Sequence, residues 1–255
     1  MLAPDALADR VCLVTGGGSG LGRAFATALA AAGARVAVLG RREEALLETV
    51  AGLPSGRGLA TVADVRDPAA VAAAFDAVEA TFGTVTTLVN NAAGNFVAPA
   101  EEISPNGWRA VVGIVLDGTF HCSREFALRA SGGGQIVNIV ATYAFSGGPG
   151  NAHSAAAKAG VVNLTRSLAV EWAPRGIRVN AIAPGPVDTG GAGAKLWSTP
   201  EVRDRVLASV PAGRFATGEE IADVCTFLVS DHAAYITGDV IVADGGFGLN
   251  QLRLG

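Results

Sequence analysis

The chain has few lysines, few aromatic residues and few sulfur-containing residues. Of its 19 basic residues only Lys158 and Lys195 are lysines, aromatic residues make up 6% of the sequence, and there are 3 cysteines and 1 methionine. The formal net charge of -4 argues against nucleic acid as the main partner, because a nucleic-acid-binding surface needs an excess of basic residues. The 3 histidines are scattered and share no metal-ligand spacing with the cysteines, so we expect no bound metal.

Long apolar runs are also missing. No apolar stretch approaches the roughly 20 residues that span a bilayer, so we expect no membrane segment. The first ten residues include Asp5 and Asp9 and lack a basic start with a long apolar core, so we expect no signal peptide. The widely separated cysteines Cys12, Cys122 and Cys225 are interpreted as reduced core thiols, which predicts a cytoplasmic protein.

What is present is a regular alternation of short apolar runs and longer helical patterns. With 255 residues, of which 50% are hydrophobic and 34 are glycine, the chain can bury a large core. Strands are predicted over 11–15, 35–39, 59–63, 87–90, 135–140, 178–182 and 239–243. Helices are predicted over 21–32, 42–51, 68–82, 105–130, 152–173 and 218–230. This order predicts an α/β fold: one Rossmann-type domain over 1–255, with a doubly wound parallel sheet of about seven strands, helices on both faces, and a substrate-covering segment at about 188–215.

A glycine-rich segment follows the first predicted strand and opens the first helix. Glycines are needed there because the chain turns sharply and a pyrophosphate must approach the backbone. The N–H groups and positive dipole end of the following helix then attract phosphate, which predicts dinucleotide binding. The alternative is a glycine-rich turn capped by Ser19. The predicted contacts are Thr15, Gly16, Gly18, Ser19, Gly20, Leu21 and Gly22.

The end of the second predicted strand indicates which cofactor is bound. NAD enzymes commonly place an acidic residue there to bind the ribose hydroxyls. Here Arg41 and Arg42 follow the strand, and no acid appears before Glu43. Because guanidinium groups can grip a 2′-phosphate in bidentate fashion, we predict NADPH rather than NADH. The alternative is a solvated basic start to the second helix.

The loop spacing is Gly-x-x-x-Gly-x-Gly, which resembles the short-chain dehydrogenase/reductase family. Asp64-Val65, residues 90–94, residues 184–189 and residues 244–246 resemble further motifs of that family in the same order. The resemblance implies a homo-oligomer, usually a tetramer. It also implies additional cofactor contacts at Asp64, Val65, Asn91, Ala92, Lys158, Pro184, Gly185 and Val187.

The catalytic positions of that family are altered in this chain. The usual active site has a tyrosine four residues before the lysine, but Ser154 stands four residues before Lys158. Ala141 occupies the position of the usual upstream serine, and Val115 that of the usual helix asparagine. Interconverting an alcohol and a ketone needs a proton donor at the carbonyl oxygen, and a serine hydroxyl is a poorer acid than a phenol. These changes disfavour ordinary carbonyl reduction.

A subgroup with the same alterations is the 2,4-dienoyl-CoA reductases, which this sequence resembles closely. The resemblance rests on Asn95-Phe96 after the Asn-Asn motif, on residues 115–119, and on Tyr143 fifteen residues before the lysine. It implies NADPH-dependent reduction of a conjugated carbon–carbon double bond in an acyl thioester. Tyr143 would be the leading proton donor at the thioester oxygen, with Asp117 or an ordered water as helper.

The same resemblance implies roles for the other site residues. Lys158 would hold the nicotinamide ribose, and Ser154 would contact substrate or cofactor. An acyl-CoA substrate carries several phosphates, so basic residues are expected near the mouth of the site. The implied substrate contacts are Arg66, Asn95, Phe96, Tyr143, Ser154 and Lys195. Two alternatives stay open: another reductase of the family that acts on a carbonyl or enoyl substrate, and an NADPH-binding protein without catalysis.

Overall fold

The computed structural model describes residues 3–189 and 199–249, so Lys195 lies outside the described residues. Within these ranges seven parallel strands form one sheet. They are β1 (Val11–Thr15), β2 (Arg35–Gly40), β3 (Gly58–Val62), β4 (Thr87–Asn90), β5 (Gly134–Ile139), β6 (Ile177–Pro184) and β9 (Val240–Ala243). Their order across the sheet is β3-β2-β1-β4-β5-β6-β9. The predicted α/β sheet of about seven strands is confirmed, and every predicted strand is present.

Helices cover both faces of this sheet, as the sequence predicts. They are α1 (Gly20–Ala31), α2 (Glu43–Ala51), α3 (Pro68–Phe82), α4 (Pro105–Val112), α5 (Gly118–Arg129), α6 (Tyr143–Ser146), α7 (Ala152–Trp172), α8 (Pro200–Ala208) and α9 (Gly218–Val229). Local signals set several starts. The Asp67 side chain caps α3 by accepting from Ala69 N and Ala70 N, with Pro68 in the first turn. A capping box between Thr217 and Glu220 starts α9.

The predicted helical stretch over 105–130 is present, but it contains a π-helical turn that the sequence pattern did not predict. A π-helical turn, Gly113–Asp117, separates α4 from α5. The turn leaves the Val115 carbonyl free to accept from Thr119 Oγ1 at 2.7 Å. A Cβ on Gly118 would lie 2.5 Å from Val65 Cγ2, so the glycine lets this turn pack against the segment that follows β3. Apolar spacing alone does not reveal one extra residue in a turn, since the flanking helices keep the ordinary period.

The core lies on both sides of the sheet, and its strands are buried as expected for a covered parallel sheet. One cluster packs α1 and α9 against β1 and β2 through residues such as Phe25, Leu29 and Leu228. A second packs α3 and α5 on the opposite face around Phe75 and Phe126. In the described parts of the chain, no helix is long and apolar enough to cross a membrane.

The strand order reverses between β1 and β4, which places a crevice at the carboxyl ends of these strands. Of the predicted substrate-covering segment the structure describes residues 188–189 and 199–215, which include helix α8. The segment is bordered by two short strands that pair in parallel, β7 (Val187–Asp188) and β8 (Ala216–Thr217). Arg203 of α8 donates to the Asp188 carboxylate at 3.1 Å and lies over the Phe215 ring, which fixes α8 to both ends of the segment.

Candidate active site

A cleft of about 440 Å³ opens along the carboxyl edge of the sheet. Such a crevice at the point where strand order reverses is where open α/β sheets bind their ligands. Its lining brings together the glycine-rich loop, the basic pair after β2 (Arg41 and Arg42), the segments after β3 and β4, the Tyr143 region and the Pro-Gly loop after β6. The predicted cofactor residues that line it are Gly16, Gly18, Ser19, Gly20, Leu21, Arg41, Arg42, Asp64, Val65, Asn91, Ala92, Pro184, Gly185 and Val187.

The glycine-rich loop has the shape of a phosphate cradle. Gly16 and Gly20 have φ angles of +65° and +53°, a region that residues with a Cβ rarely adopt. A Cβ on Gly22 would lie 2.2 Å from the Gly16 carbonyl oxygen, so α1 could not approach the loop with any other residue there. Ser19 precedes α1 but its side chain makes no capping hydrogen bond, so the alternative of a merely capped turn lacks its defining contact. These features fit the pyrophosphate of a dinucleotide.

Thr15 and the segment after β4 tie the loop to the middle of the sheet. Thr15 Oγ1 accepts from the backbone N–H groups of Asn91 at 3.0 Å and Ala92 at 2.9 Å. Asn91 Nδ2 in turn donates to the Thr15 carbonyl at 3.0 Å. Thr15 is fully enclosed by these contacts and does not line the cleft, so its effect on a ligand is through the loop that it holds.

The basic pair lies exposed at one end of the cleft, beside the start of α2. Nearby, Asp64 is held by Arg66, whose Nε and Nη2 reach the two carboxylate oxygens at 3.0 and 2.6 Å. The hydrogen bond from Arg66 is the main cause that keeps the pKa of Asp64 below its usual value, and the charge of Arg41 contributes less. Arg66 itself does not line the cleft, so the structure places it at the rim.

Of the predicted catalytic residues, Tyr143 lines the other end of the cleft, whereas Ser154 and Lys158 are buried and do not line it. Tyr143 begins the short helix α6 after β5, and Ser154 and Lys158 lie one turn apart near the start of α7. The Tyr143 hydroxyl lies 3.1 Å from Ser154 Oγ, so these side chains are hydrogen-bonded. The Lys158 ammonium is buried and donates to the carbonyl of Ile139 at the end of β5. The Tyr143 phenol, which comes from a different element, therefore contacts the side chain at the position from which the family's tyrosine is missing.

Burial sets the protonation of this end. Desolvation raises the pKa of Tyr143, an effect only partly offset by the Ser154 hydrogen bond, so the phenol stays protonated well into the alkaline range. Desolvation lowers the pKa of Lys158 to about 8, because the charged ammonium is removed from water without a carboxylate partner. Near neutral pH the site thus holds a protonated Tyr143 phenol and a Lys158 cation.

Asp117, which the sequence predicts to assist the proton donor, does not lie with Tyr143, Ser154 and Lys158. Its side chain is exposed on the outer face of the π turn. A Cβ on Gly113 would meet the Arg66 stem at 3.5 Å and Asp117 Oδ2 at 4.0 Å, so both side chains border the same outer surface. Val115, one position inward, is buried in the cluster beneath α7. The π turn therefore directs the apolar side chain towards the catalytic helix and the carboxylate towards solvent.

The predicted substrate residues Asn95 and Phe96 lie beside the start of α7. Asn95 Nδ2 donates to Asn151 Oδ1 at 3.0 Å, which fixes this loop against the turn before α7. Phe96 is 40% exposed and stands edge-on to the His153 ring, with centroids 4.3 Å apart. Phe96 is thus held against His153 at the start of α7 and is partly exposed, although it does not line the cleft.

Several residues of the site were not singled out from the sequence. His153 is fully buried next to Phe96, and neither ring nitrogen has a hydrogen-bond partner among the described residues. Phe247 lines the cleft near Tyr143 because Asp244 accepts from Gly246 N and Gly248 N and so turns the chain inward. The Asp-Gly-Gly run was a signal for that turn. For His153 the only signal was its place directly before Ser154.

Comparisons with known proteins agree with this geometry. A family model described as Enoyl-(Acyl carrier protein) reductase matches residues 16–248. A protein of Bacillus subtilis (strain 168) named "Probable 2,4-dienoyl-CoA reductase [(2E)-enoyl-CoA-producing]" is 47% identical over 247 residues, which cover 94% of this chain and 97% of that protein.

Two solved structures have the same fold. A short chain dehydrogenase from Bacillus anthracis is 44% identical with a TM-score of 0.88, and the match covers 97% of this chain and 100% of that one. A Beutenbergia cavernae protein, provisionally named as an NAD(P) dependent gluconate 5-dehydrogenase and containing bound NADP at low occupancy, is 43% identical with a TM-score of 0.88 over 96% of this chain and 99% of that one. The chain therefore belongs to the short-chain dehydrogenase/reductase family of oxidoreductases, which bind a nicotinamide cofactor.

Proposed function

We propose that this enzyme uses NADPH to reduce a conjugated carbon–carbon double bond in an acyl thioester, as a 2,4-dienoyl-CoA reductase. The observation that carries the proposal is the hydrogen-bonded pair of Tyr143 and Ser154, 3.1 Å apart, with Lys158 one turn beyond Ser154. This arrangement replaces the tyrosine that the family normally uses. The Bacillus subtilis relative whose name includes this activity supports the same choice.

The choice of NADPH rests on the rim of the cleft beside α2. Arg41 and Arg42 both line the cleft and are exposed, so their guanidinium groups are free to turn towards a 2′-phosphate. Asp64, the acidic residue that lines the cleft in the described part of the chain, is already paired with Arg66, so Arg41 and Arg42 would not have to give up a carboxylate to pair with a phosphate. The NADP in the Beutenbergia cavernae structure is consistent with this choice.

When bound, the nicotinamide would supply a hydride to the terminal carbon of the conjugated system, and uptake of a proton at a second carbon would complete the reduction. The residues of the chain then have to stabilise the negative charge that develops on the thioester oxygen. The Tyr143 hydroxyl is the donor for that oxygen, since burial keeps it protonated. Ser154 orients the phenol through their hydrogen bond, and the buried charge of Lys158 adds electrostatic stabilisation at the same end of the cleft. Asp117 faces solvent, so a water is the better candidate for the helper.

Reduction of a ketone is the second candidate function. A specific observation favours it: the Tyr143 phenol reaches Ser154, so a phenol is available close to where the family places one. The Beutenbergia cavernae relative is provisionally named for such a reaction. The absence of a partner hydroxyl at Ala141 weighs against it, because the usual serine that binds the ketone oxygen is missing.

Further features of the proposal concern substrate binding, assembly and location. We expect the phosphates of CoA to meet Arg66 at the rim and Lys195, which lies outside the described residues. Large apolar side chains are exposed on α5 and α7, including Phe120 at 44% and Val170 at 79%, which supports assembly of a homotetramer through these helices. Its three cysteines are free and buried, which supports a reducing, cytoplasmic location.

The test compares substrates under one set of conditions. Oxidation of NADPH is followed with a 2,4-dienoyl-CoA and with a 3-oxoacyl-CoA of the same chain length, and the position of the product double bond is determined. We expect kcat/KM to be at least about a hundredfold higher for the dienoyl substrate, since only that reaction dispenses with an alcohol-forming acid. Equal or greater turnover of the oxoacyl substrate would favour the ketone reaction. Tight NADPH binding without turnover of either would favour a non-catalytic role.

A further inference from the structure

The first four carbonyl groups of the glycine-rich loop are held by side chains from outside the loop. The Thr15 and Gly16 carbonyls accept from Asn91 Nδ2 at 3.0 and 3.3 Å. The next two carbonyls are held by residues that no motif identifies: Gly17 O lies 3.0 Å from Thr49 Oγ1 on α2, and Gly18 O accepts from Arg23 Nη2 on α1 at 3.0 Å. Four successive peptide groups are thereby fixed in direction.

Thr49 and Arg23 also contact each other, so they form one unit. Arg23 Nε donates to Thr49 Oγ1 at 3.1 Å, which leaves the threonine hydroxyl proton for the carbonyls of Gly17 and Ala45. The second nitrogen of the Arg23 fork bridges from Gly18 O to Glu48 Oε2 at 2.9 Å. Thr49 is 2% exposed, so its hydroxyl has no access to bulk water as a replacement partner.

Fixing these carbonyls decides where the loop N–H groups point. In a planar trans peptide the C=O and the next N–H point in opposite directions. With the Gly17 and Gly18 carbonyls turned to α2 and α1, the N–H groups of Gly18 and Ser19 are directed to the other side, and both residues line the cleft. Gly18 also packs against α2, since a Cβ there would lie 3.1 Å from Ala45 Cβ. Gly18 therefore lies beside the first turn of α2, and it lines the same cleft as Ser19, Arg41 and Arg42.

We infer that Thr49 and Arg23 are positioning residues for the 2′-phosphate of NADPH: they orient two peptide N–H groups of the loop towards the phosphate that Arg41 and Arg42 bind. This inference rests on the proposed preference for NADPH. Helix α2 thus contributes twice, with cations at its start and with the Thr49 hydroxyl at its end. Because the 2′-phosphate is the part that NADH lacks, loss of this orientation weakens NADPH binding in particular.

The test uses Thr49→Val, which keeps the shape of the side chain and removes the hydroxyl. Dissociation constants for NADPH and NADH are measured by fluorescence in the absence of substrate. We expect Kd for NADPH to rise about tenfold, as for loss of one buried hydrogen bond with displacement of its acceptor, and Kd for NADH to change less than about twofold. Thr49→Ser, which keeps the hydroxyl, restores NADPH binding. In steady-state kinetics, we expect Thr49→Val to raise KM for NADPH and to leave kcat at saturating NADPH unchanged.

Thr226→Val is the matched control. Thr226 is also a helical threonine whose hydroxyl donates to the carbonyl four residues earlier, but it lies on α9 and does not contact the loop. It should leave both dissociation constants unchanged. Arg23→Lys provides a second variant that keeps the charge but loses the planar fork, and it should also weaken NADPH binding more than NADH binding.

Three results would overturn the inference: unchanged NADPH binding in Thr49→Val and Arg23→Lys, equal weakening of both cofactors, or no recovery in Thr49→Ser. If Thr49→Val does not fold, Arg23→Lys and Thr49→Ser decide between these results. If the proposed preference for NADPH is itself wrong, the unaltered protein binds NADH as tightly as NADPH. That result differs from the three results above. The dissociation constants of both cofactors are measured without turnover of a dienoyl-CoA.

Discussion

The two ends of the cleft bind their ligands by different means. At the end near α1 and α2 the ligand-facing groups are backbone N–H groups and two exposed arginines, set in place by glycines and by side chains that hold the loop carbonyls. At the end near α6 and α7 the Tyr143 phenol lines the cleft and is hydrogen-bonded to the buried hydroxyl of Ser154, 11 positions along the chain, while the buried Lys158 lies one turn beyond Ser154. The first end depends on the local path of the chain, and the second on how separate elements pack.

The difference shows at which end of the cleft the residues usual in the family can be replaced. The path of a glycine-rich loop is determined over a few residues, so one substitution there disturbs binding of every dinucleotide. A proton donor needs only the right position, and a side chain from another element can supply it. Here Tyr143 at the start of α6 reaches Ser154 on α7, at the position from which tyrosine is missing. Exposure differs as well, since Lys158 is buried whereas Arg41 is exposed.

The largest effect is expected from Lys158→Ala, at the buried end. Removing the only cation near Tyr143 and Ser154 in the described part of the site takes away charge that stabilises the electron-rich transition state. We expect kcat/KM for dienoyl-CoA to fall about a thousandfold. The measurement is steady-state kinetics, with circular dichroism to verify the fold. A loss of less than about tenfold would place the chemistry elsewhere in the cleft.

Arg41→Ala, at the exposed end, should have a smaller effect that is confined to the cofactor. Loss of a bidentate pairing with the 2′-phosphate is expected to raise Kd for NADPH about thirtyfold while Kd for NADH stays within about twofold. Fluorescence titration of both cofactors measures this directly. Equal affinities for NADH and NADPH in the unaltered protein would remove the basis for the assignment.

The pH dependence of kcat/KM is expected to follow the protonation state of the buried Lys158. The pKa of Lys158 is lowered to about 8, so the ammonium is charged below that pH and loses its proton as pH rises through it. If the charged form is the active one, kcat/KM falls above about pH 8, by about tenfold for each further pH unit. A profile that stays flat to well above this pH would contradict a role for the charge. Tyr143, with its raised pKa, does not account for a fall in this range.

The smallest effects are expected at the rim, from Arg66→Ala and Lys195→Ala. Exposed charges are screened by solvent, so we expect each change to raise KM for acyl-CoA only about threefold, with KM for NADPH nearly constant. Arg66 also holds Asp64, and Arg66→Lys, which keeps a charge, provides the control for that contact. Unchanged KM values for acyl-CoA in both alanine variants would argue against a CoA substrate.

Most of the fold could be predicted from the sequence because buried parallel strands are short, apolar and separated by regular helices. All seven strands of the sheet were found within about two residues, as was the phosphate loop. The π turn Gly113–Asp117 was missed because it adds one residue without changing the apolar period on either side. Its consequence, the outward direction of Asp117, could not be read from the sequence.

In the site, motifs identified residues but not their partners. The sequence named Tyr143 and Ser154, yet their contact depends on the turn between α6 and α7, where Gly147 and Gly150 have φ angles of +78° and +75°. Thr49 and Arg23 carry no motif, because their role arises only when α1 and α2 pack around the loop. Residue identity was thus predictable where the chemistry is local, and contacts were not predictable where tertiary packing creates them.

The central claim is that Tyr143 has taken over as proton donor for reduction of a conjugated double bond. The measurement that tests it most directly is kcat for 2,4-dienoyl-CoA reduction by Tyr143→Phe at saturating NADPH, beside Tyr235→Phe, which changes a fully exposed tyrosine. We predict that Tyr143→Phe loses about a hundredfold or more in kcat while Kd for NADPH is unchanged, and that Tyr235→Phe behaves like the unaltered enzyme. Full activity of Tyr143→Phe would contradict the account.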